Sequence, residues 1–402
     1  MGMKGAVLIS LIGCLMAGSH PAAAFLSDSR YHVATEPAHL LLDSVDHWDS
    51  EASSDLITYQ RPLEWDGLWL RGKKVFDLSI GSISTKQFLT YHRLKIHHML
   101  TERLEFRLHW LEERDFEQDR IALPIELRYQ FTSKIAVAVF GQPSLYKSED
   151  DLGATLAFNP KPERQIEASI LWGDFQRNQK NLNSDSWSEP PVAYTLTSTF
   201  LPSDSKADFR KIEAHYEPNS TRALGATPVA TLSYQMISIA ALKSRDSGYQ
   251  YGYRLLADKS YFEDHGTNTI RTRKRLLTQI ECGWYHGPYL LKPGINFFYR
   301  ENQKNQDQEI TREILPTFWF EFPEKPKSFG AHVVSLGYDA TVFDRDSTMR
   351  SNQNKIEHRG NLKSSMKFKR AGELAFLLTF DLDRFGTGET WEGGASQFRL
   401  DF

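Results

Sequence analysis

The sequence predicts an all-β fold, a transmembrane antiparallel up-and-down β-barrel, and three observations support this. Apolar and polar residues alternate with a period of two over most of the chain after about residue 67. The connections between these segments alternate between tight turns and longer polar loops. After the first residues, no apolar run reaches the ~20 residues that a membrane-spanning helix needs. Such strands suit a barrel with one face toward lipid and the other toward a wet lumen.

The alternation is clearest at residues 103–112. Leu104, Phe106 and Leu108 fall on one face of the predicted strand, and Glu105 and Arg107 fall on the other. The same pattern recurs at 120–131, 291–299, 314–322 and 374–382. A barrel explains these dense charges because it places the apolar face against lipid and the charged face in the lumen.

The end of the chain carries a family resemblance. Phe398, Leu400 and Phe402 share one face of a strand, while Arg399 and Asp401 lie on the other. This terminal strand resembles the closing strand of bacterial outer-membrane β-barrels, the porin-like superfamily. The resemblance implies a location in the bacterial outer membrane, contact with outer-membrane lipid, and recognition of Phe402 by the barrel assembly machinery. It is specific for architecture and does not indicate a subfamily.

The composition is compatible with this fold. The chain is 40% hydrophobic and 25% charged, values that are also typical of soluble proteins. Only every second residue of a barrel strand faces lipid, so each strand averages out polar. A net charge of −3 without a basic cluster argues against a nucleic-acid partner.

The first 24 residues read as a signal peptide. Lys4 precedes an apolar core, and Ala22 and Ala24 occupy the positions before the predicted cleavage site at Phe25. A competing interpretation is lipidation at Cys14, because residues 11–14 resemble a lipobox. With the leader removed, Cys282 is the only remaining thiol, and its parity predicts a small residue facing lipid.

Residues 25–66 differ from the rest of the chain. Leu41, Leu42, Val45 and Trp48 have helical spacing, which predicts a short amphipathic helix. We expect either a loosely ordered periplasmic lead-in or a plug or contact arm for a periplasmic partner. The predicted domains are therefore a signal peptide at 1–24, a periplasmic segment at 25–66 and a barrel at 67–402.

The connections predict topology and strand number. Tight connections are expected at 100–102, 132–134, 159–163, 286–288, 323–327 and 369–373, and longer ones at 112–118, 178–191, 217–227, 263–272, 301–308 and 344–355. Counting back from a periplasmic Phe402 gives about 18 strands starting near Leu68, although the boundaries also allow 16. None of these connections looks long enough to fold into the lumen as a constriction. The lumen is then open, filled by inward charges, or entered by residues 25–66.

The inward face holds the candidate functional residues, which are charged and share lumen parity. One interpretation is cross-strand ion pairing that stiffens the wall, and the other is a solute path whose charged rows set selectivity. The basic row at 359–367, facing acidic residues on the next predicted strand, is the best local case for either. The candidate pore-lining residues are Arg103, Glu105, Arg107, Glu126, Arg128, Arg359, Lys363, Lys367, Asp381 and Arg399.

No catalytic or metal-binding constellation is predicted. The chain has no Gly-x-Ser-x-Gly, His-Glu-x-x-His or Cys-x-x-Cys motif, and no cofactor is expected. His97 and His98 are adjacent in a strand, so they point to opposite faces and do not form a metal site. His92 and His98 have outward parity, which leaves a lipid-modifying barrel enzyme with a Ser/His pair as a minor alternative.

Two classes of function follow from these expectations. The first is a channel or export porin for a hydrophilic solute or polysaccharide. The second is a non-conducting structural or assembly barrel that docks a periplasmic partner through residues 25–66.

Overall fold

A computed structural model describes most of the predicted barrel. The described residues are 74–84, 87–114, 119–123, 125–142, 151–173, 185–189, 192–202, 208–224, 227–245, 249–323, 325–327, 330–348, 351–368, 372–388 and 390–402. The predicted signal peptide at 1–24 and the predicted periplasmic segment at 25–66 lie outside these residues.

The described chain is built from β-strands. None of its described segments forms a helix long and apolar enough to cross a membrane. The strands are β1 (Lys74–Ser84), β2 (Gln87–Met99), β3 (Leu104–Arg114), β4 (Asp119–Ala122), β5 (Ile125–Gln130), β6 (Ile135–Gln142), β7 (Asp151–Lys161), β8 (Arg164–Trp172), β9 (Asp185–Glu189), β10 (Val192–Phe200), β11 (Phe209–Leu224), β12 (Thr227–Arg245), β13 (Tyr249–Asp264), β14 (Thr269–His286), β15 (Tyr289–Lys304), β16 (Asp307–Glu321), β17 (Lys325–Lys327), β18 (Gly330–Ser347), β19 (Gln353–Phe368), β20 (Gly372–Asp381) and β21 (Trp391–Asp401).

The sheet closes on itself. β1 pairs antiparallel with β21, with Val75 aligned to Asp401, and the Phe402 amide donates to the Lys74 carbonyl at 2.9 Å. β4 and β5 both pair with β3, β9 lies along β11 beyond β10, and β17 lies along β18 beyond β16. These six segments therefore form three interrupted strands, and the closed antiparallel barrel has 18 strands. The predicted number of about 18 is confirmed, and the alternative of 16 is wrong.

The two faces of the barrel have the predicted polarity. Leu127, Phe318 and Phe376 point outward with 48%, 42% and 48% of their surface exposed, whereas Arg128 and Arg359 are buried on the inner face. The inner wall is thus polar and the outer wall apolar, the inverse of a soluble protein.

The outer apolar band has the height of a membrane. From Tyr289 to Tyr299 every outward residue of β15 is apolar or aromatic. This stretch is about ten residue steps of ~3.4 Å, and a tilt of about 40° gives about 26 Å along the membrane normal. That matches the ~25 Å apolar band of outer-membrane barrels.

Several predicted long connections are wrong, because the strands continue through them. β11 extends to Leu224 and β12 begins at Thr227, so most of 217–227 is strand. Likewise, residues 265–268 and 305–306 are the only non-strand parts of two other predicted loops, and β18 and β19 cover 344–347 and 353–355 of a third. These strands pass beyond the apolar band, and several of their outward residues there are charged, among them Lys274, Glu301 and Arg312. Local polarity therefore indicated loops where the chain forms protruding hairpins.

The short hairpins have a local physical basis. Asn268 and Asn305 adopt positive φ angles of 52° and 54°, which asparagine tolerates in tight turns. The Asp264 Oδ1 accepts the Gly266 amide at 2.8 Å and the Thr267 amide at 3.2 Å, closing an Asx turn. These residues let the strands pair up to the tip of each hairpin. The predicted asymmetry between short turns and long loops is therefore absent from β11 to β19, the part of the described barrel that contains these hairpins.

Candidate functional site in the lumen

The predicted residues on β3 and β5 form one connected ion-pair network. The Arg107 guanidinium donates to Glu105 at 2.8 Å and lies 3.3 Å from Glu126. The Arg128 Nε donates to the same Glu126 carboxylate at 2.8 Å. Alternating charges on neighbouring strands thus bind the wall together, as the ion-pairing interpretation predicted.

The network reaches further than any sequence pattern indicated. The Arg128 Nη2 also donates to Glu167 on β8, across the two intervening strands β6 and β7. The inward residues there include Ala138 and Ala157, both buried, and their short side chains leave room for the arginine. Small residues on β6 and β7 therefore allow a long-range pair that spacing alone does not predict.

Two histidines extend the network toward the barrel seam. The His97 Nε2 lies 2.8 Å from the His109 Nε2, and the two rings are stacked with centroids 5.1 Å apart. The His97 Nδ1 lies 3.6 Å from Glu105. His97 therefore joins the β2–β3 wall to the carboxylates through these contacts.

One predicted member of this group is not a wall residue. Arg103 lies in the exposed turn between β2 and β3, where its carbonyl accepts the Gln130 amide at 2.8 Å. The turn ends one residue later than the alternation suggested, because Thr101 accepts the Leu104 amide at 3.0 Å. Arg103 is therefore at the rim of the barrel end that carries Lys74 and Phe402, here called the terminus end.

The second predicted group shares the inner face but pairs differently from expectation. Arg359 aligns with Asp381 across β19 and β20, yet its guanidinium donates to Glu357 at 2.8 Å and to the Thr341 hydroxyl at 3.1 Å. Asp381 instead lies 3.5 Å from Arg384 and accepts the Asp383 amide at 2.9 Å. Register places these charges together, and side-chain length and local turns decide the partners.

The remaining predicted residues lie toward the terminus end. Lys367 and Arg399 both align with Glu373 on β20, one from each neighbouring strand. Lys363 aligns with Leu377 and with Ser335 on its other side. The basic residues predicted on β19 therefore do lie in one row. Glu373 lies between Lys367, at the terminus end of that row, and Arg399.

The sequence analysis missed the most deeply buried charges. Arg275 on β14 donates hydrogen bonds from its Nε and Nη2 atoms to the Asp258 carboxylate on β13 at 2.7 to 3.1 Å. Both side chains are almost fully buried. Arg300, which the alternation does place in the lumen, lies 3.6 Å from Glu309 on the adjacent strand. A signal existed, because these residues have the inward parity of their strands. Lys274 lies between Arg273 and Arg275 but faces outward, so charged and apolar residues do not alternate at this point of the sequence.

An apolar cluster also lies on the inner wall, where the prediction placed polar residues. Tyr234, Met236, Leu256, Leu277 and Phe298 are all at most 5% exposed and pack together on β12 to β15. Leu256 aligns with Leu277, and Leu277 aligns with Phe298. Polar and apolar inner side chains are therefore packed closely on this side of the barrel.

Exposure differs around the inner wall. Glu105, Arg107 and Glu126 retain 17 to 19% of their side-chain exposure, and Glu167 retains 26%. On β13 and β14, Arg275 and Asp258 retain only 2% and 0%. The inner wall is thus partly exposed at β3, β5 and β8 and closely packed at β13 and β14.

The minor alternative of a lipid-modifying enzyme was based on two outward histidines. His92 packs edge-on against Trp110 with ring centroids 5.8 Å apart, and His98 aligns with Phe106. A different outward pair exists, in which the His332 Nε2 lies 2.9 Å from the Ser364 hydroxyl. Among the described residues, the hydrogen bonds of His332 include no carboxylate that would complete a hydrolytic triad. The same residues contain no cluster of three or more His, Cys, Asp or Glu side chains suited to a metal.

Comparison with known proteins gives only structural likeness. No family model and no curated protein matches the chain. Among solved structures, Acinetobacter baumannii OccAB3 is similar over 83% of this chain and 99% of its own, with a TM-score of 0.44 and 10% identity. A BenF-like porin from Pseudomonas fluorescens Pf-5 covers 82% and 98%, with a TM-score of 0.42 and 7% identity. A bacterial polysaccharide outer membrane secretin covers 82% and 98%, with a TM-score of 0.41 and 9% identity.

Proposed function

We propose that the chain is a bacterial outer-membrane barrel that conducts a hydrophilic solute or polysaccharide. The observation that supports this is a polar, charged inner wall enclosed by an apolar outer wall of membrane height. Inward charges do not contact lipid, and in a barrel of this size they line the path of a solute. Export through the predicted signal peptide at 1–24 and assembly through Phe402 belong to the same proposal.

The predicted pore-lining residues would set the preference of the channel. Glu105, Arg107 and Glu126 are partly exposed, and with the buried Arg128 they form a network in which acidic and basic groups alternate. A solute passing this network meets both signs of charge at short range. The proposal is therefore a channel with selectivity for polar solutes rather than an unselective pore.

A second candidate is a non-conducting barrel that docks a periplasmic partner through residues 25–66. The observation in its favour is the close packing of the inner wall on β12 to β15, where Leu277 and Phe298 are each 2% exposed. Packed apolar side chains oppose the passage of water and ions. We assign no catalytic role under either candidate.

Single-channel recording in planar bilayers separates the two candidates. A channel gives a steady ohmic current, and Arg107→Gln should shift its reversal potential in a salt gradient toward cations. The matched control is Arg312→Gln, which removes the same charge from an exposed outer-wall pair with Asp344. A current that both variants change equally would not pass through the lumen, and consistent silence of a folded barrel would support the second candidate.

A further inference from the structure

Glycine recurs on the inner face of β13 to β18 near the terminus end. Gly252 aligns with Glu281, and Glu281 aligns with Gly294. On the next inward level toward the terminus end, Gly337 aligns with Trp319. A glycine has no side chain, so a neighbouring side chain can lie against its backbone.

Trp319 lies flat against one of these glycines, Gly337. A Cβ atom added to Gly337 would lie 2.8 to 2.9 Å from the Cε2, Cδ2 and Cε3 atoms of the Trp319 indole. Because three ring atoms are equally close, the indole plane faces the backbone of β18. Phe318 beside it points to lipid, so Trp319 points to the lumen and remains partly exposed. One face of the indole is backed by the wall, and the other is turned to the lumen.

Hydrogen-bonding groups flank the indole on both sides. Lys292 aligns with Trp319 on β15, and its ammonium lies 3.3 Å from the carboxylate of Glu321. On the other side, the Asn361 amide donates to Asp339 at 2.6 Å. The lysine–glutamate pair is about one quarter exposed on each side chain, so both groups can exchange bonds with a solute.

We propose that Trp319, with Lys292 and Glu321, forms a binding site for a pyranose ring of a neutral oligosaccharide. A pyranose has an apolar face of C–H groups and a rim of hydroxyls. The flat indole suits the apolar face, and a paired ammonium and carboxylate can donate to and accept from hydroxyls. The pair carries no net charge, which favours a neutral sugar over an acidic one. This inference deepens the proposed function and rests on its solute class.

Binding can be measured on the full-length barrel in detergent micelles by isothermal titration calorimetry. The probes are maltotriose as a neutral trisaccharide and trigalacturonate as an acidic one. We expect maltotriose to bind, and Trp319→Ala to weaken its binding at least about fivefold, the loss of one aromatic contact. Trp319→Phe should retain part of the affinity, and heat-modifiable migration on gels checks the fold of each variant.

Gly337→Ala gives a second, independent variant. The added methyl displaces the indole from the wall without removing it, so affinity should fall while the folded barrel persists. The matched control is Trp391→Ala, since Trp391 is 49% exposed on the outer wall and should not affect sugar binding. Equal maltotriose affinity in the folded wild type, Trp319→Ala and Gly337→Ala barrels would overturn the site. Tighter binding of trigalacturonate would overturn the assignment to neutral sugars.

Bilayer recording on the same preparations separates this inference from the proposed function. If the barrel conducts but its sugar affinity does not change in Trp319→Ala, the channel function is supported and the sugar site is refuted. If the barrel does not conduct but its maltotriose binding depends on Trp319, the sugar site is supported and the channel function is refuted.

Discussion

The Arg275–Asp258 pair tests whether the lumen is packed or wet. Its closest nitrogen–oxygen distance is 2.7 Å, and both side chains are buried on the inner wall. The Arg312–Asp344 pair has the same distance of 2.7 Å but lies on the outer face with 44% and 42% exposure. The two pairs therefore differ mainly in burial, and near-isosteric Asp258→Asn and Asp344→Asn changes compare them directly.

The expected magnitudes differ because the surroundings differ. Removing one partner of a buried pair leaves an uncompensated charge and typically costs about 3–5 kcal/mol. An exposed pair is screened by water and is worth about 0.2–1 kcal/mol. We expect Asp258→Asn to lower the free energy of unfolding by about 3 kcal/mol or more, and Asp344→Asn by at most about 1 kcal/mol.

Reversible guanidinium unfolding of the barrel in lysophospholipid micelles measures both values by tryptophan fluorescence. The double variant Asp258→Asn/Arg275→Met should recover part of the loss, since it removes the buried positive charge as well. If Asp258→Asn costs no more than Asp344→Asn, water reaches the Arg275 guanidinium. The conclusion that the lumen is packed at this depth would then be wrong.

Three further predictions concern the wall, the seam and the lumen. Phe318→Arg places a charge on the lipid-facing band and should lower the free energy of unfolding in liposomes by about 2–4 kcal/mol, whereas a near-neutral value would contradict the outward assignment. Deletion of Phe402 removes the amide that donates across the seam and should reduce surface accumulation in cells, as checked by outer-membrane fractionation; normal levels would count against its role in assembly. Joint neutralisation of Arg359, Lys363 and Lys367 should shift the reversal potential of a conducting barrel toward cations, and an unchanged potential in a folded variant would remove this row from selectivity.

Much of the fold follows from the sequence because a β-strand has a period of two. Parity alone assigns Arg128 to the lumen and Leu127 to lipid, and neither assignment depends on the rest of the molecule. The parity of tight turns also requires an even strand number, since each turn must return to the same side of the membrane, but it left 16 and 18 open. These features are local, and local chemistry decides them.

Loop lengths could not be read in the same way. A polar residue such as Lys274 is equally suited to a loop and to the outward face of a strand above the membrane. Its pairing with Glu301 at 3.2 Å shows that it belongs to a protruding hairpin. Whether such a stretch is loop or strand depends on its neighbour in the sheet, which the sequence of one segment does not contain.

The sequence by itself determined the architecture, the polarity of both faces and the identity of most lumen residues. Only the tertiary structure decided which charges meet: Arg128 reaches Glu167 because two strands of small residues separate them, and Arg359 turns to Glu357 rather than to Asp381. It alone also placed the Trp319 indole against Gly337. Partner choice depends on side-chain reach across a closed surface, and closure brings together residues whose separation along the chain carries no information.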